Sequence, residues 1–131
     1  MLCVCLPMNI SDLMKKPIVI EKDILLADAA KLMIKHAMSS LIVVFNEKIS
    51  GVITHEDLVR HFGEDRKVSD IMTKQVITVK QNDKVQKALE LIREKHISIL
   101  PVVDKYGKLI GVVRTEDFLN SVCDSDEFLM G

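Results

Sequence analysis

The chain has no tryptophan, and aromatic residues make up only 4% of its 131 positions. Single-stranded nucleic acid is gripped by stacking on several exposed rings, and few are available here. An excess of charge of one sign is missing as well: 18 Lys and Arg stand against 19 Asp and Glu, a net charge of −1. No global positive field exists to hold a polyanion. No apolar run reaches the ~18 residues of a membrane span. Met1–Pro7 is apolar, but too short for a signal peptide and without basic residues at its start. These absences predict a cytoplasmic protein with no nucleic-acid and no membrane partner. Met8 is a second candidate for the initiator.

Cysteine is scarce too. Cys3, Cys5 and Cys123 are odd in number and lack framework spacing, which argues against a secreted disulfide scaffold. Cys3-Val4-Cys5 supplies at most half of a tetrahedral metal set, and reads more simply as small apolar residues in a leader. The four histidines, His36, His55, His61 and His96, show no zinc-helix spacing, so no metal site is expected. His55 reads instead as a polar group on the rim of a site. Glycine-rich phosphate loops and Ser/His/Asp or Cys/His arrangements are also missing, so no catalytic residue is assigned.

What the chain does have is an internal repeat. Ser11-Asp12-Leu13-Met14 returns as Ser69-Asp70-Ile71-Met72, and Gly51-Val52-Ile53-Thr54-His55-Glu56-Asp57-Leu58 as Gly111-Val112-Val113-Arg114-Thr115-Glu116-Asp117-Phe118. The spacing between copies grows by two residues along the way, which places small insertions at turns. A repeat this long means two copies of one folding unit stacked so that each covers the other's apolar face. The expected boundaries are 10–62 and 68–122, with 1–9 as leader and 123–131 as tail. A pseudo-twofold axis would set equivalent polar residues across a shared crevice. A hydrophobic content of 48% is ample for a core. A chain of this length buries about two thirds of its unfolded surface without disulfide or metal.

Each copy reads as strand, helix, strand, strand, helix, an α/β pattern. In the first, Ile18-Val19-Ile20 is a short β-branched strand. Leu26, Ala29, Ala30, Met33 and Ala37 recur at helical spacing. Leu41–Phe45 is a buried strand, Asn46-Glu47-Lys48 a tight turn, Ile49–Ile53 the return strand and Glu56–Phe62 a short helix. In the second, Val76–Val79 is the first strand and Asp83 a candidate N-cap for a helix faced by Val85, Ala88, Leu89 and Ile92. Leu100–Val103 is the next strand, with Pro101 suggesting an edge or a strand start. Asp104–Gly107 is a turn, Leu109–Val113 the return strand and Glu116–Val122 the last helix. The polar stretch Gly63–Lys67 joins the copies and is too short for a flexible linker, so the two are expected to pack as one body.

The strand-to-helix junctions carry the chemistry. An apolar strand ends at Thr54 or Arg114, and three residues later Asp57 or Asp117 enters the first turn of a helix. A carboxylate is favoured there, and its two oxygens can accept both hydrogens of a ribose diol. A simple helix cap is the plainer reading, and its recurrence with the same flanks favours a site. Met38-Ser39-Ser40-Leu41 and Ile97-Ser98-Ile99-Leu100 form a second patch, where backbone groups at a helix-to-strand turn can read the edge of a base.

These motifs resemble CBS domains. The likeness rests on Gly51–Asp57, on Ile97-Ser98-Ile99-Leu100-Pro101-Val102-Val103-Asp104 and on Asp70-Ile71-Met72, and it covers residues 10–122. The resemblance implies a tandem pair of β-α-β-β-α units in a disc-forming homodimer. It also implies a sensor of adenosine-containing ligands such as AMP, ADP, ATP, S-adenosylmethionine or NADH, and not an enzyme. By that likeness Asp57 and Asp117 hold ribose, Thr54 contacts ribose or phosphate, and Ser40 and Ile99 offer backbone to adenine. The first strands at Ile18, Val19 and Ile20, and at Ile77, Thr78 and Val79, lie alongside. Ser39 and Ser98 sit where phosphate-contacting side chains often occur. Two departures stand out: Arg114 replaces a hydroxyl residue, and Ile42 a proline. Arg114 could clamp phosphate, fill the cleft, or pair with a nearby carboxylate. The short helices around Leu58-Val59 and Phe118-Leu119 should be exposed and meet a second copy; an unidentified regulated protein is a further expected partner. A small nucleotide hydrolase using Asp57 or Asp117 as base, or a structural pair with degenerate clefts, are the alternatives.

Overall fold

The computed structural model describes residues 9–121, and side chains up to Phe118. Cys3, Cys5, Cys123, the leader and the acidic tail lie outside the described residues. The elements run α1 (Ile10–Leu13), β1 (Val19–Ile20), α2 (Leu26–His36), β2 (Ser40–Phe45), β3 (Lys48–Thr54), α3 (His55–Arg60), α4 (Val68–Ile71), β4 (Val79–Lys80), α5 (Val85–Lys95), β5 (Ile99–Val103), β6 (Leu109–Arg114) and α6 (Thr115–Ser121). Among the described residues they build two three-stranded sheets, β1-β2-β3 and β4-β5-β6. In each sheet the first strand is parallel to the middle one.

The chain divides into two compact units that do not follow the order of the repeats. One comprises Pro17–Ile77 with Gly107–Leu109; the other comprises the segment up to Lys16, Thr78–Tyr106 and the segment from Ile110. The lead-in to each repeat therefore folds with the other repeat. In the first-repeat unit, Val68 donates its N–H to the Ile24 carbonyl at 2.8 Å, and Leu26 donates to Arg66 at 3.0 Å. Thr73 and Val52 exchange two backbone bonds of 2.9 Å. In the other unit, Ile10 donates to Asp83 at 2.8 Å, and Lys15 and Val112 exchange bonds of 2.8 and 2.9 Å. The short helices α1 and α4 were not expected, because four residues carry no periodicity to read. Their buried anchors are Ile10 and Leu13, and Val68.

Close contact explains the repeated glycine. A Cβ on Gly51 would lie 2.6 Å from Met72 Sδ and 2.8 Å from the Thr73 carbonyl oxygen. One on Gly111 would lie 2.8 Å from Met14 Sδ. The methionines of the two lead-ins thus seat on the glycines of the return strands. The first-repeat core gathers Ile20, Leu26, Ala29, Met33, Leu41, Val43, Ile53 and Val68, all buried. The amphipathic faces of α2 and β2 account for most of it.

Several expected elements shift. The first strands are shorter than expected: Ile18 precedes β1, and Val76, Ile77 and Thr78 precede β4. Parallel pairing holds only Val19 and Ile20 to Ile42 and Val43, and only Val79 and Lys80 to Val102 and Val103. Asp83 does not cap α5, whose N-cap is Lys84. Its carboxylate closes a turn instead, accepting the Lys80 N–H at 2.8 Å, which with the Lys87 ammonium holds the group below the usual carboxylate range. Pro101 lies in the middle strand of its sheet, not at an edge. The missing N–H is tolerated because β4 reaches only Val102 and Val103. The Asn46-Glu47 hairpin turn is tight as expected, with both residues at positive φ, 54° and 64°. Helix α2 stops because Ala37 turns left-handed, at φ 53°.

Ser69 of the α4 lead-in donates its hydroxyl to Asp23 Oδ2 at 2.6 Å, which holds that carboxyl below its ordinary range. A depressed folded-state value stabilises above the unfolded carboxylate range, and the contribution is lost as pH falls through the folded value. Ser69→Ala should raise the Asp23 pKa toward the unperturbed range in an NMR titration. Gly51→Ala should cost about 1–3 kcal/mol in urea denaturation, the scale of overpacking. Gly111→Ala should cost less, because only the flexible Met14 side chain must move.

Candidate functional site

In the first repeat, β3 passes into α3 without a loop. Thr54 ends the strand and is the N-cap of the helix. Asp57 reaches back, and its Oδ2 accepts the Thr54 N–H at 2.9 Å and the Thr54 hydroxyl at 3.0 Å. The Asp57 N–H donates to Thr54 Oγ1 at 3.2 Å. This closed capping box satisfies donors that a helix start otherwise leaves open. The plain structural role of the pair is thus present, as the sequence allowed. The second repeat keeps half of it: Asp117 Oδ2 accepts the Arg114 N–H at 2.8 Å, but no hydroxyl returns the bond.

That difference leaves an unusual group. Asp117 is 4% exposed, and its Oδ1 is buried with no hydrogen-bond partner among the described residues. A buried carboxylate oxygen left unpaired is costly. The Arg114 guanidinium stands 3.9 Å from Asp117 Oδ2 and 3.8 Å from Glu116 Oε2. Those are ion-pair distances, too long for hydrogen bonds. Of the three roles left open for Arg114, the structure shows the pairing with nearby carboxylates.

The helix-to-strand patch joins the same end of each sheet. Ser40 opens β2 and lies opposite Thr54 in register. His55, first in α3, donates its N–H to the Ser39 carbonyl at 2.9 Å, and Thr115 does the same to Ser98 at 3.1 Å. The structure therefore brings Ser39, Ser40, Thr54, His55 and Asp57 together in one unit, with Val19 on the neighbouring strand and Ile18 just before it. Ser98, Ile99, Arg114, Asp117, Thr78 and Val79 fall in the other unit, but Ile77 does not: it belongs to the compact unit of the first repeat. Ser40 and Ile99 are buried, whereas Ser39, Ser98 and His55 are exposed. Sequence reasoning missed the bonds to the Ser39 and Ser98 carbonyls, since main-chain acceptors leave no trace in residue type. Among the described residues no three His, Cys, Asp or Glu cluster to hold a metal. His61 pairs with Glu64 at 2.9 Å.

The sequence profile of the CBS domain matches residues 10–64 and again 68–124. The chain belongs to the CBS domain family. CBS domains are characteristically regulatory, non-catalytic modules. Inosine-5'-monophosphate dehydrogenase of Methanocaldococcus jannaschii is 36% identical over 106 residues, which are 80% of this chain and 21% of that protein. Homoserine O-acetyltransferase of Methanocorpusculum labreanum is 36% identical over 113 residues, 84% of this chain and 23% of that protein. The chain thus spans about a fifth of the length of these curated relatives. Among solved structures, the CBS domain pair of protein MJ0100, in complex with 5'-methylthioadenosine and S-adenosyl-L-methionine, is 31% identical with a TM-score of 0.81. That match covers 88% of this chain and 95% of the other. CBSX2, solved in complex with AMP, shares the fold at 24% identity and a TM-score of 0.79, over 86% of this chain and 94% of the other. No helix among the described residues is long and apolar enough to cross a membrane.

The unequal caps of this CBS pair make a measurable prediction. Thr54→Ala should destabilise the protein by about 1 kcal/mol in urea denaturation, the usual cost of losing an N-cap hydroxyl.

Proposed function

We propose that this CBS pair is a regulatory module that senses adenosine-containing ligands, with residues 10–62 and 68–122 as its two repeats and the cytoplasm, where such ligands are held, as its setting. The buried, unpartnered Asp117 Oδ1 carries the reading. A buried acceptor of this kind is matched by a hydroxyl donor, and a ribose diol supplies two. Asp57 occupies the same place in the first repeat, with its Oδ2 already engaged by Thr54. Ser40 and Ile99, at the starts of β2 and β5, stand where main-chain groups can read adenine. The segments Ile18-Val19-Ile20 and Ile77-Thr78-Val79 would lie beside the base, and Ser39, Ser98 and His55 would line the rim. The relation to the MJ0100 CBS pair, whose ligands both contain adenosine, supports the same ligand class.

The repeats differ in what they ask of the rest of the ligand. Thr54 is a neutral hydroxyl. Arg114 is a cation 3.8 Å from Glu116 Oε2 and 3.9 Å from Asp117 Oδ2, and a ligand phosphate would compete with these carboxylates for it by charge-assisted hydrogen bonds. The second repeat should therefore favour AMP or ATP over uncharged adenosine or 5'-methylthioadenosine, which would suit energy sensing.

Isothermal titration with adenosine, 5'-methylthioadenosine, S-adenosylmethionine, AMP and ATP tests this directly. Asp117→Ala and Asp57→Ala should each weaken binding in their own repeat by about 1.5–3 kcal/mol, the scale of a hydrogen bond to a charged group. Arg114→Ala should weaken AMP and ATP while sparing adenosine. Heat with none of the five ligands would overturn the sensing role in favour of a structural pair. Tighter AMP binding by Arg114→Ala would make the arginine a plug.

A further inference from the structure

Each return strand carries a methionine sulfur that neither ligand sensing nor helix capping uses. Met14 and Met72 stand at the C-caps of α1 and α4, and their side chains fill the hollows that Gly111 and Gly51 leave. Each pairing lies within one compact unit. Both methionines are only half-buried, and Lys15 and Thr73, which follow them, are exposed. Met33, by contrast, is 5% exposed inside the first-repeat core. The seating of both lead-ins therefore depends on thioethers that a small solute in the solvent can reach.

We propose that Met14 and Met72 are a pair of oxidation sites through which a peroxide loosens the lead-ins from the return strands. In that reaction the Sδ lone pair attacks one oxygen of hydrogen peroxide. An S–O bond forms as the O–O bond breaks, the proton on the transferred oxygen passes to the departing hydroxide, and water leaves. Sulfur is oxidised by two electrons and the peroxide is reduced by two. The product is a sulfoxide, polar where the thioether was apolar. A thiol-dependent methionine sulfoxide reductase reverses the change, its thiols becoming a disulfide and the oxygen leaving as water.

The packing makes an added oxygen disruptive here. A Cβ on Gly51 would lie 2.6 Å from Met72 Sδ and 2.8 Å from its Cγ, so the sulfur rests directly on the strand backbone. One on Gly111 would lie 2.8 Å from Met14 Sδ and 3.1 Å from its Cγ. Contacts this close do not take another atom without displacement. Nor is there a donor at hand for the new acceptor: the Val52 and Val112 N–H groups already bond the Thr73 and Lys15 carbonyls. The sulfoxide is satisfied by turning toward water, which lifts the lead-in. Gly51 and Gly111 lie three residues before Thr54 and Arg114 on the same strands, so the loosening also reaches the corner where each strand enters its helix.

Hydrogen exchange on the full chain, in a background of Cys3→Ser, Cys5→Ser and Cys123→Ser, reads the lead-ins directly. After hydrogen peroxide, peptide mass spectrometry should find Met14 and Met72 as sulfoxides and Met33 as the sulfide. Exchange at the Lys15, Val52, Thr73 and Val112 amides should then quicken at least about tenfold through local opening, while that of the middle strand β2 should hold. A methionine sulfoxide reductase with dithiothreitol should restore the slow exchange. The double variant Met14→Leu with Met72→Leu, a volume-conserving change, should keep slow exchange in the same peroxide. Met72→Gln, which sets an amide oxygen in the place of the sulfoxide oxygen, should quicken Val52 and Thr73 without peroxide, and serves if the leucine variant fails to fold. Slow exchange in protein whose Met14 and Met72 are both sulfoxides would overturn the proposal. So would Met14 and Met72 left as sulfides in excess peroxide, or equal loosening of the double leucine variant. None of these readouts depends on a ligand, so they stand or fall separately from the adenosine reading.

Discussion

In both repeats the return strand becomes a helix with no residues to spare, and a single carboxylate holds the turn. Asp57 and Asp117 each fold back onto the N–H three residues before them. Once that bond is made, the helix start points its own first N–H at the Ser39 or Ser98 carbonyl. The end of the third strand, the beginning of the second and the first turn of the closing helix are thereby locked into one corner. The same bond consumes one carboxylate oxygen, and in Asp117 it leaves the other buried without a donor among the described residues. On the proposed reading, a structural cap and a ligand acceptor would be two oxygens of one side chain.

A second constraint acts on the sheets. Three strands, one of them only two residues long, cannot cover themselves, and each sheet needs another layer along its return strand. That layer is the lead-in belonging to the other repeat. Met72 lies on Gly51 and Met14 on Gly111, each backed by a pair of main-chain hydrogen bonds. Exchange of lead-ins makes the repeats depend on one another for completion, which explains why a motif so short recurs intact.

Two differences between the copies change the charge of their surface. The core positions keep their apolar character. Thr54 has become Arg114 at the site corner, and Ile34 corresponds to Arg93 on the outer helical face. Each change replaces a neutral group by a guanidinium, and each would alter what the surface accepts without disturbing the strands beneath it.

Much of this was legible in the residues themselves. The repeat announced two copies of one unit, and β-branched runs and helical spacing located the long helices and the middle strands. Thr54 and Asp57 marked the helix start because capping is a local interaction, written within four residues. What lay beyond local reach was decided elsewhere. Asp83 is an acceptable N-cap by type, yet the Lys80 main chain claims it. Pro101 is acceptable in a central strand only because β4 is short. Phe118 looked as free as Leu58 but is buried. The sequence by itself determined the order of the strands and long helices and the two capping carboxylates, since each follows from periodicity or near-neighbour bonding, and the likeness of its motifs pointed to the family. Only the tertiary structure decided which lead-in completes which sheet, which carboxylate oxygen is left without a donor and which helical face stays bare. Those outcomes depend on chain segments brought together from dozens of residues apart, and no local pattern encodes that meeting.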